Sequence, residues 1–435
     1  MGKLNCANSK KSPLKFIDLF AGIGGIRLGF EQAACESGIA TECVFTSEIK
    51  PYAINVLKQN HGDGKIQGDI TKISSKEIPD FDILLAGFPC QAFSAAGKRQ
   101  GFADTRGTLF FEVERILSEK NPMGFLLENV EGLVNHDGGK TLTTIISRLE
   151  SLDYKVNLKI LNSKNFALPQ DRKRIYITGT KTQKTDLENF SEKFCSLEKI
   201  LQSGLPISDS KFVKKLLSHY KVEELFGKAI KDKRGGADNI HSWDLELKGK
   251  VSARQKRLLN SLLKERRKKK WAEEIGIDWM DGMPLTLKQI KTFFDDENLE
   301  SDLEDLVQKK YLVKEHPKKR VSEIDLLGNK KSFRVQDETL PLGYNIVTGK
   351  MSFEVNKILD PKGIAPTLVA MDMQHLFVAD GNGIRPLSLR EGLRLFGYPE
   401  NFKFDVSVED GYDLLGNTVC VPVIRAVSKK LLEAI

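Results

Sequence analysis

Residues 15–30, KFIDLFAGIGGIRLGF, decide the fold. An apolar run, FIDLF at 16–20, passes through glycines at 22, 24 and 25 into GIRLGFEQAA, where apolar residues recur at spacings of three and four. The first pattern is that of a buried strand and the second that of an amphipathic helix. The glycines permit a tight turn and a close approach of backbone to a ligand, with the helix N–H groups and positive dipole end facing it. The stretch falls short of the dinucleotide fingerprint G-x-G-x-x-G, because Arg27 holds the last position.

The alternation continues outward. CVFTS (43–47), DILLA (82–86), GFLLE (124–128), KVNLKIL (155–161) and RIYITG (174–179) are short apolar runs separated by helix-like segments such as TLFFEVERILSEK. Repeated strand–helix–strand units build a parallel sheet covered on both faces, so the expectation is an open, doubly wound α/β domain. From about 183 to 350 the alternation stops. That interval is lysine-rich, with Gly235 and Gly236, the run KERRKKK at 264–270, and tryptophans at 243, 271 and 279. Within it, residues 284–315 read as a small helical unit of winged-helix type. The final stretch, GYDLLGNTVCVPVIRAVSKKLLEAI at 411–435, ends in an amphipathic helix expected to dock back on the first domain.

With 435 residues, 40% of them hydrophobic, the chain exceeds what one core usually serves, so two domains are expected. The net charge is +8; residues 181–350 hold 35 Lys and Arg against 28 Asp and Glu, so +7 of it falls there. A basic region beside a near-neutral one fits a polyanion-binding module next to a module with another task. No cleavable apolar leader and no apolar run near 18 residues is present, which places the expected site of action in the cytoplasm. Six scattered cysteines with no C-x-x-C pair argue against a disulfide scaffold or a zinc ribbon, and no metal is expected.

Chemically capable groups follow the strands. Glu48 ends the second apolar run, where a carboxylate can accept from ribose hydroxyls; Asp69, in GDIT, can accept from an exocyclic amine or simply cap a helix. FDILLAGFPCQ delivers Cys90, and GFLLENVEGL delivers Glu128 and Asn129, to the crevice beyond the strand ends. A thiol and a carboxyl there can act as nucleophile and acid. Gln170, Arg172 and Arg174 alternate on entry to the last apolar run, so their side chains should project to one side.

These segments resemble the DNA (cytosine-5)-methyltransferases. FIDLFAGIGG, SEIK, GDIT, GFPCQAFSAAGKRQGF, DTRGTLFFE, LLENVEGL, QDRKRIY, RPLSLREGLRLFGYPENF and LLGNTVCVP are similar to that family's motifs, in the family's order, over roughly the first 180 and last 60 residues. The resemblance implies a Rossmann-like, S-adenosylmethionine-dependent methyltransferase domain with a doubly wound mixed sheet, spanning 12–182 plus 403–435. A smaller target-recognition domain with a hinge would be inserted at 183–402. Cys90 would attack carbon 6 of a flipped-out cytosine, and Glu128 would hold and protonate the ring. Asn129 would fix the surrounding loop, Arg172 would sit near the substrate, Arg174 would support Glu128, and Gln170 would join this catalytic set.

The cofactor pocket would take Phe20, Ala21, Gly22, Ile23, Gly24 and Gly25 from the first motif and Glu48 and Ile49 from the second. Asp69 and Ile70 would come from the third, Gly87, Pro89 and Leu109 from around the nucleophile, and Asn417 and Val419 from the last. Residues 94–106 would form the mobile loop that closes over the base. The implied partners are double-stranded DNA and, functionally, a restriction endonuclease of the same specificity; the chain would act as a monomer and release S-adenosylhomocysteine. A tRNA methyltransferase on the same body is disfavoured, since that branch's Cys-Phe-Thr element is absent. A silent DNA-binding relative is disfavoured by the presence of both Cys90 and Glu128.

Overall fold

All six apolar runs become strands: β1 (Leu14–Leu19), β2 (Thr41–Ser47), β4 (Ile83–Ala86), β5 (Gly124–Val130), β6 (Lys155–Asn162) and β7 (Lys173–Thr180). With a two-residue β3 (Ile66–Gln67) they form one seven-stranded sheet of order β3-β2-β1-β4-β5-β7-β6. The computed structural model describes residues 12–62, 66–89, 109–232, 238–278, 282–324, 330–347, 353–370 and 372–435. Ile17, Leu19, Leu84, Phe125 and Leu127 on the central strands are fully buried, as strands covered on both faces require.

Pairing is parallel among β1, β2, β3, β4 and β5, whereas β7 runs antiparallel to both β5 and β6. The repeated strand–helix–strand pattern alone implied a parallel sheet; the last pair departs from it for a simple reason. The connection from β6 to β7 contains a three-residue 3-10 turn at Ser163–Asn165 and no crossover helix, so the chain can only fold back on itself. The outcome is the mixed, doubly wound α/β sheet that the family resemblance implied.

Helices α1 (Gly25–Glu36), α2 (Pro51–His61), α3 (Leu109–Lys120) and α4 (Lys140–Glu150) follow the strands. Gly24 takes φ +80° immediately before α1, a left-handed conformation that costs most residues energy and glycine nothing. The next glycine is constrained by space instead. A Cβ on Gly25 would overlap the Tyr398 hydroxyl and lie 2.8 Å from Val419 Cγ2. Gly25→Ala should therefore destabilise the fold by about 1–3 kcal/mol through overpacking, read as a lowered urea midpoint with unchanged slope.

The chain divides into two compact units, Met1–Ser203 with Asp360–Gln374 and Leu387–Ile435, and Gly204–Leu359 with His375–Pro386. This partition differs from the expected boundaries, because 183–203, 360–374 and 387–402 join the first unit. Backbone hydrogen bonds account for much of the difference: Asp171 N–H donates to Ala365 O at 2.8 Å, Ala365 N–H to Pro169 O at 2.8 Å, and Leu197 N–H to Gly363 O at 3.1 Å.

The second unit holds helices α5 (Lys211–His219), α6 (Ala253–Glu265), α7 (Lys270–Glu274), α8 (Leu287–Lys291) and α9 (Leu299–Gln308). Its strands are β8 (Ala229–Ile230), β9 (Asn239–Ile240), β10 (Leu312–Glu315), β11 (Lys318–Ile324), β12 (Lys330–Gln336), β13 (Gly343–Ile346), β14 (Lys357–Ile358), β15 (Leu376–Asp380) and β16 (Gly383–Pro386). One apolar cluster lies around Trp243, Leu258, Leu262, Trp271 and Leu303, and a second around Val213, Leu225, Val355 and Phe377. The basic run 264–270 is not a uniform solvated stripe. Arg266 is buried and donates to Asn345 Oδ1 at 2.7 Å, while Lys264, Lys268, Lys269 and Lys270 are exposed.

Back in the first unit, α10 (Leu389–Leu395), α11 (Val408–Asn417) and α12 (Val421–Glu433) close the chain. The last helix packs on α1, where Gly29 allows the approach: a Cβ there would lie 2.6 Å from Ile424 Cγ2. Among the described residues no helix is long and apolar enough to cross a membrane.

Candidate active site

The parallel strands β1, β2, β4 and β5 deliver their carboxyl ends to one sheet edge, and antiparallel β7 brings its amino end to the same edge. Its register sets Arg174 opposite Val130 and Tyr176 opposite Glu128, so Arg174 is a diagonal neighbour of Glu128. A parallel β7 would have carried Arg174 to the far end of the sheet. Around this edge lies a cavity of about 410 Å³, a size that suits a small-molecule cofactor or substrate. Glu48 and Asp69 stand on its wall together with Glu128, Asn129, Arg172 and Arg174. Of the other expected pocket residues, Phe20, Gly22, Ile23, Ile49, Ile70, Gly87, Pro89, Leu109 and Asn417 line it, whereas Ala21, Gly24, Gly25 and Val419 do not.

The acid end is built around Glu128, which is buried on β5. Burial pushes its carboxyl above the usual glutamate range, opposed by the positive charges of Arg174 and Arg172. Arg174 Nε lies 3.2 Å from Glu128 Oε1, yet no donor among the described residues is aligned on that oxygen. The contact is an ion pair that leaves hydrogen-bonding capacity unused, which suits an acid that must engage a ligand. Asn129, next along the strand, donates from Nδ2 to Phe88 O at 3.1 Å and accepts from Val130 N–H at 2.8 Å. It therefore clamps the chain two residues before Cys90. Cys90 itself and the loop 94–106 lie outside the described residues.

The three alternating residues 170, 172 and 174 do not share one task. Gln170 is fully buried, donates to Leu395 O at 3.1 Å, accepts from Leu368 N–H at 3.3 Å, and does not line the cavity. Alternation failed because β7 begins only at Lys173, so residue 170 precedes the pleat that would have aligned it. Arg172 reaches the cavity wall but spends its guanidinium on Leu368 O at 2.9 Å and Thr418 O at 2.8 Å, stacked over Phe396. Burial pulls its pKa down to about 10, with Arg174 adding to the effect, so it stays charged at neutral pH.

At the other end, Glu48 Oε2 accepts from Gly22 N–H at 2.7 Å, and Oε1 accepts from Ile49 and Lys50 N–H at 2.8 Å each. A carboxylate has about four lone-pair sites, so roughly one remains for a ligand hydroxyl. Asp69 caps a 3-10 turn by accepting from Thr71 N–H at 3.0 Å and Thr71 Oγ1 at 2.8 Å. Both oxygens are not consumed: only Oδ1 serves the cap. Ile49, 67% exposed, offers an apolar face on the same wall. An acceptor for a hydroxyl, an acceptor for an amine and an apolar face on the same wall fit an adenosine group. Sequence reasoning missed Lys50, Phe88, Leu414, Gly416 and Thr418 on this wall. Lys50 and Tyr52 both reach Asp413, at 2.6 and 2.7 Å, pinning the start of α2 to α11; the GYDLLGN segment carries that acid without any local hint of its partner.

Behind the glycine turn, Asp18 is fully buried and both its oxygens lack a hydrogen-bond partner among the described residues. Burial pushes its carboxyl up to about 8, against the pull of Arg27. The folded chain thus holds a proton that the unfolded chain releases near the ordinary aspartate value. By linkage that stabilisation is complete at acid pH and is lost as pH rises through about 8. Thermal midpoints measured from pH 5 to 9 should fall more steeply for the wild type than for Asp18→Asn; parallel profiles would contradict a neutral Asp18.

Residues 14–433 match the family model for C-5 cytosine-specific DNA methylase. The chain is 60% identical over 429 residues to Type II methyltransferase M.NlaIV of Neisseria lactamica, covering 97% of this chain and 99% of that protein. It is 42% identical to Type II methyltransferase M.HgiCI of Herpetosiphon aurantiacus, covering 97% and 98%. Among solved structures, the Entamoeba histolytica methyltransferase EhMeth aligns with a TM-score of 0.52 at 15% identity, covering 97% of this chain and 99% of that one, a likeness of fold.

Proposed function

The chain belongs to the C-5 cytosine-specific DNA methylases and is an S-adenosylmethionine-dependent DNA cytosine-5 methyltransferase, and on that premise we propose that it works through a covalent Cys90 adduct with Glu128 as the acid. Inside a duplex the target carbon is inaccessible, so the cytosine flips into the cavity. Cys90 thiolate adds to carbon 6, and the displaced electron pair is accepted at ring nitrogen 3 by a proton from Glu128. Carbon 5 is then an enamine carbon, nucleophilic where an aromatic pyrimidine carbon is not. S-adenosylmethionine, when bound, supplies an electrophilic methyl group on sulfur. After transfer, a base, proposed to be water, removes the carbon 5 proton, the Cys90 sulfur leaves, and Glu128 recovers its proton.

The observation that carries this reading is the cavity itself, in which a buried carboxyl with a raised pKa shares one space with the adenosine-type wall of Glu48, Ile49 and Asp69. Arg174 keeps Glu128 oriented, Asn129 fixes the turn leading to Cys90, and Gln170 and Arg172 act as positioning residues through the backbone they hold. Phe20, Glu48, Asp69 and Asn417 belong to the cofactor wall. The second unit is proposed as the target-recognition domain, its positive charge supplying phosphate contact.

The relatives' names, as Type II methyltransferases, support a restriction-modification setting. The chain is proposed as the protecting methylase of a type II restriction-modification system, acting as a monomer on double-stranded DNA in the bacterial cytoplasm, at the nucleoid, alongside an endonuclease of the same specificity. Incubation of unmethylated plasmid with methyl-tritiated S-adenosylmethionine, followed by base analysis, tests the reaction. Label on cytosine carbon 5 is expected; label on adenine or on the cytosine amine contradicts it. Glu48→Ala should weaken S-adenosylmethionine binding roughly 10- to 100-fold by calorimetry, since one charged hydrogen bond and the Gly22 anchor are both lost.

A further inference from the structure

The second unit contains a module whose order of elements is α6, the five-residue α7, a single bridging residue, α8, α9, β10, the β11–β12 hairpin and β13. The bridge pairs Leu285 with Tyr344 of β13, and β13 pairs antiparallel with β10, so Leu285, β13 and β10 make a small three-membered sheet behind the helices. Leu258, Leu262, Leu285, Ile290, Leu303 and Ile346 share its core. With the short α7 as an addition after the first helix, the succession helix, strand, two helices, strand, ribbon, strand is the plan of a winged helix-turn-helix. Such a plan offers two elements of the right width for a DNA major groove, the second helix of the turn and the ribbon.

Charge separates them. The solvent-facing residues of α9 are Glu300, Ser301, Glu304, Asp305 and Gln308, with no cation among them. Its acids are also turned to structural use: Glu304 accepts from the Tyr344 hydroxyl at 2.7 Å, Asp305 pairs with Lys309 at 2.6 Å, and buried Asp302 pairs with Arg254 at 2.6 Å. Duplex DNA carries one negative charge per about 1.7 Å of axis, so this helix would be repelled along its length.

The ribbon is the reverse. Its register sets Lys318 opposite Gln336, Arg320 opposite Arg334 and Ser322 opposite Ser332, and the period of two puts all six on one face, which holds three cations and no acid. Arg320 and Arg334 are exposed and directly opposite one another. Two guanidinium forks side by side match the paired acceptors on guanine edges in the major groove.

Resting on the reading of duplex DNA as substrate, we propose that the β11–β12 ribbon, through Arg320 and Arg334, is the base-reading element of the recognition module, and that α9 is not. Loss of one bidentate contact relaxes the site at one base pair; loss of a phosphate contact weakens all sequences equally.

The test uses the full-length chain and plasmid DNA, with methylated positions mapped by bisulfite sequencing and binding read by anisotropy on labelled duplexes with and without the mapped site. Arg320→Ala and Arg334→Ala should each lose roughly 10- to 100-fold of the discrimination between the two duplexes. Arg320→Lys should keep most non-specific affinity while losing discrimination, because charge is retained and the fork is not. A triple variant, Glu300→Ala, Ser301→Ala and Gln308→Ala, should keep both. Unchanged discrimination in the arginine variants, uniform weakening with an unchanged site, or loss of discrimination in the α9 variant each overturns the assignment. Should the wild type place its methyl group elsewhere than cytosine carbon 5, the reaction proposed above fails; single-molecule sequencing of the methylated plasmid then supplies the site, and the anisotropy comparison still decides the ribbon. Unchanged S-adenosylmethionine affinity and thermal midpoint in every variant confirm folding.

Discussion

Cys90→Ala should lower methyl transfer by roughly four to six orders of magnitude, the scale on which removal of a covalent nucleophile acts. Without the thiolate, carbon 5 remains part of an aromatic ring and has no electron pair to offer. The structure adds a reason for expecting the loss to be confined to the chemical step. Pro89 lies on the cavity wall, and Asn129 Nδ2 holds Phe88 O at 3.1 Å, so the strand end before Cys90 is fixed by groups other than the sulfur. S-adenosylmethionine affinity, measured by calorimetry, should therefore stay within about twofold while single-turnover transfer disappears. Binding lost in parallel with turnover would show that Cys90 supports the pocket rather than the reaction.

Glu128→Gln should lower kcat by about two to four orders of magnitude, the range of a lost general acid, with DNA affinity less affected. The amide keeps the shape and can still donate to a ring, but it cannot hand over and recover a proton. The pH profile separates this from a structural effect. Burial raises the Glu128 pKa, so the acid form persists above the ordinary glutamate range and is lost as pH climbs through the raised value. Cys90 needs the opposite, gaining thiolate as pH rises. The wild type should show a bell, with Glu128 setting its alkaline limb, and the residual activity of Glu128→Gln should lack that limb. An alkaline limb unchanged in the variant would assign it to another group.

Much of the fold was legible because strand and helix each have their own period. The six apolar runs needed no partner to be read, and the docking of the last helix could be read from its amphipathic pattern. What was not legible depended on distance along the chain or on length. Strand β3 spans two residues, too few for a pattern, and the reversal of β7 follows from the short connection at 163–172 rather than from the strand's composition. The unit boundaries follow from the pairing of 365 with 169 and 171, which no local signal announces.

The site divides in the same way. Residues that follow strands, such as Glu48, Asp69, Glu128 and Asn129, could be placed because a parallel sheet gathers its carboxyl ends. Gln170 does not align with Arg174 because alternation applies only within a strand, and its amide joins Leu395 and Leu368 instead. Arg266 belongs to the basic run 264–270, yet it is buried against Asn345. In each case the deciding partner was remote in sequence.

The central claim is a bond between Cys90 sulfur and cytosine carbon 6, and a duplex carrying 5-fluorocytosine at the methylated position tests it most directly. Fluorine cannot leave carbon 5 as a cation in the way hydrogen does, so the adduct formed by attack and methyl transfer persists. Proteolysis and mass spectrometry should find the modified nucleotide on the peptide containing Cys90, with the transferred methyl group in the added mass. An adduct on a different residue, or no adduct from protein that methylates ordinary cytosine in parallel, would contradict it.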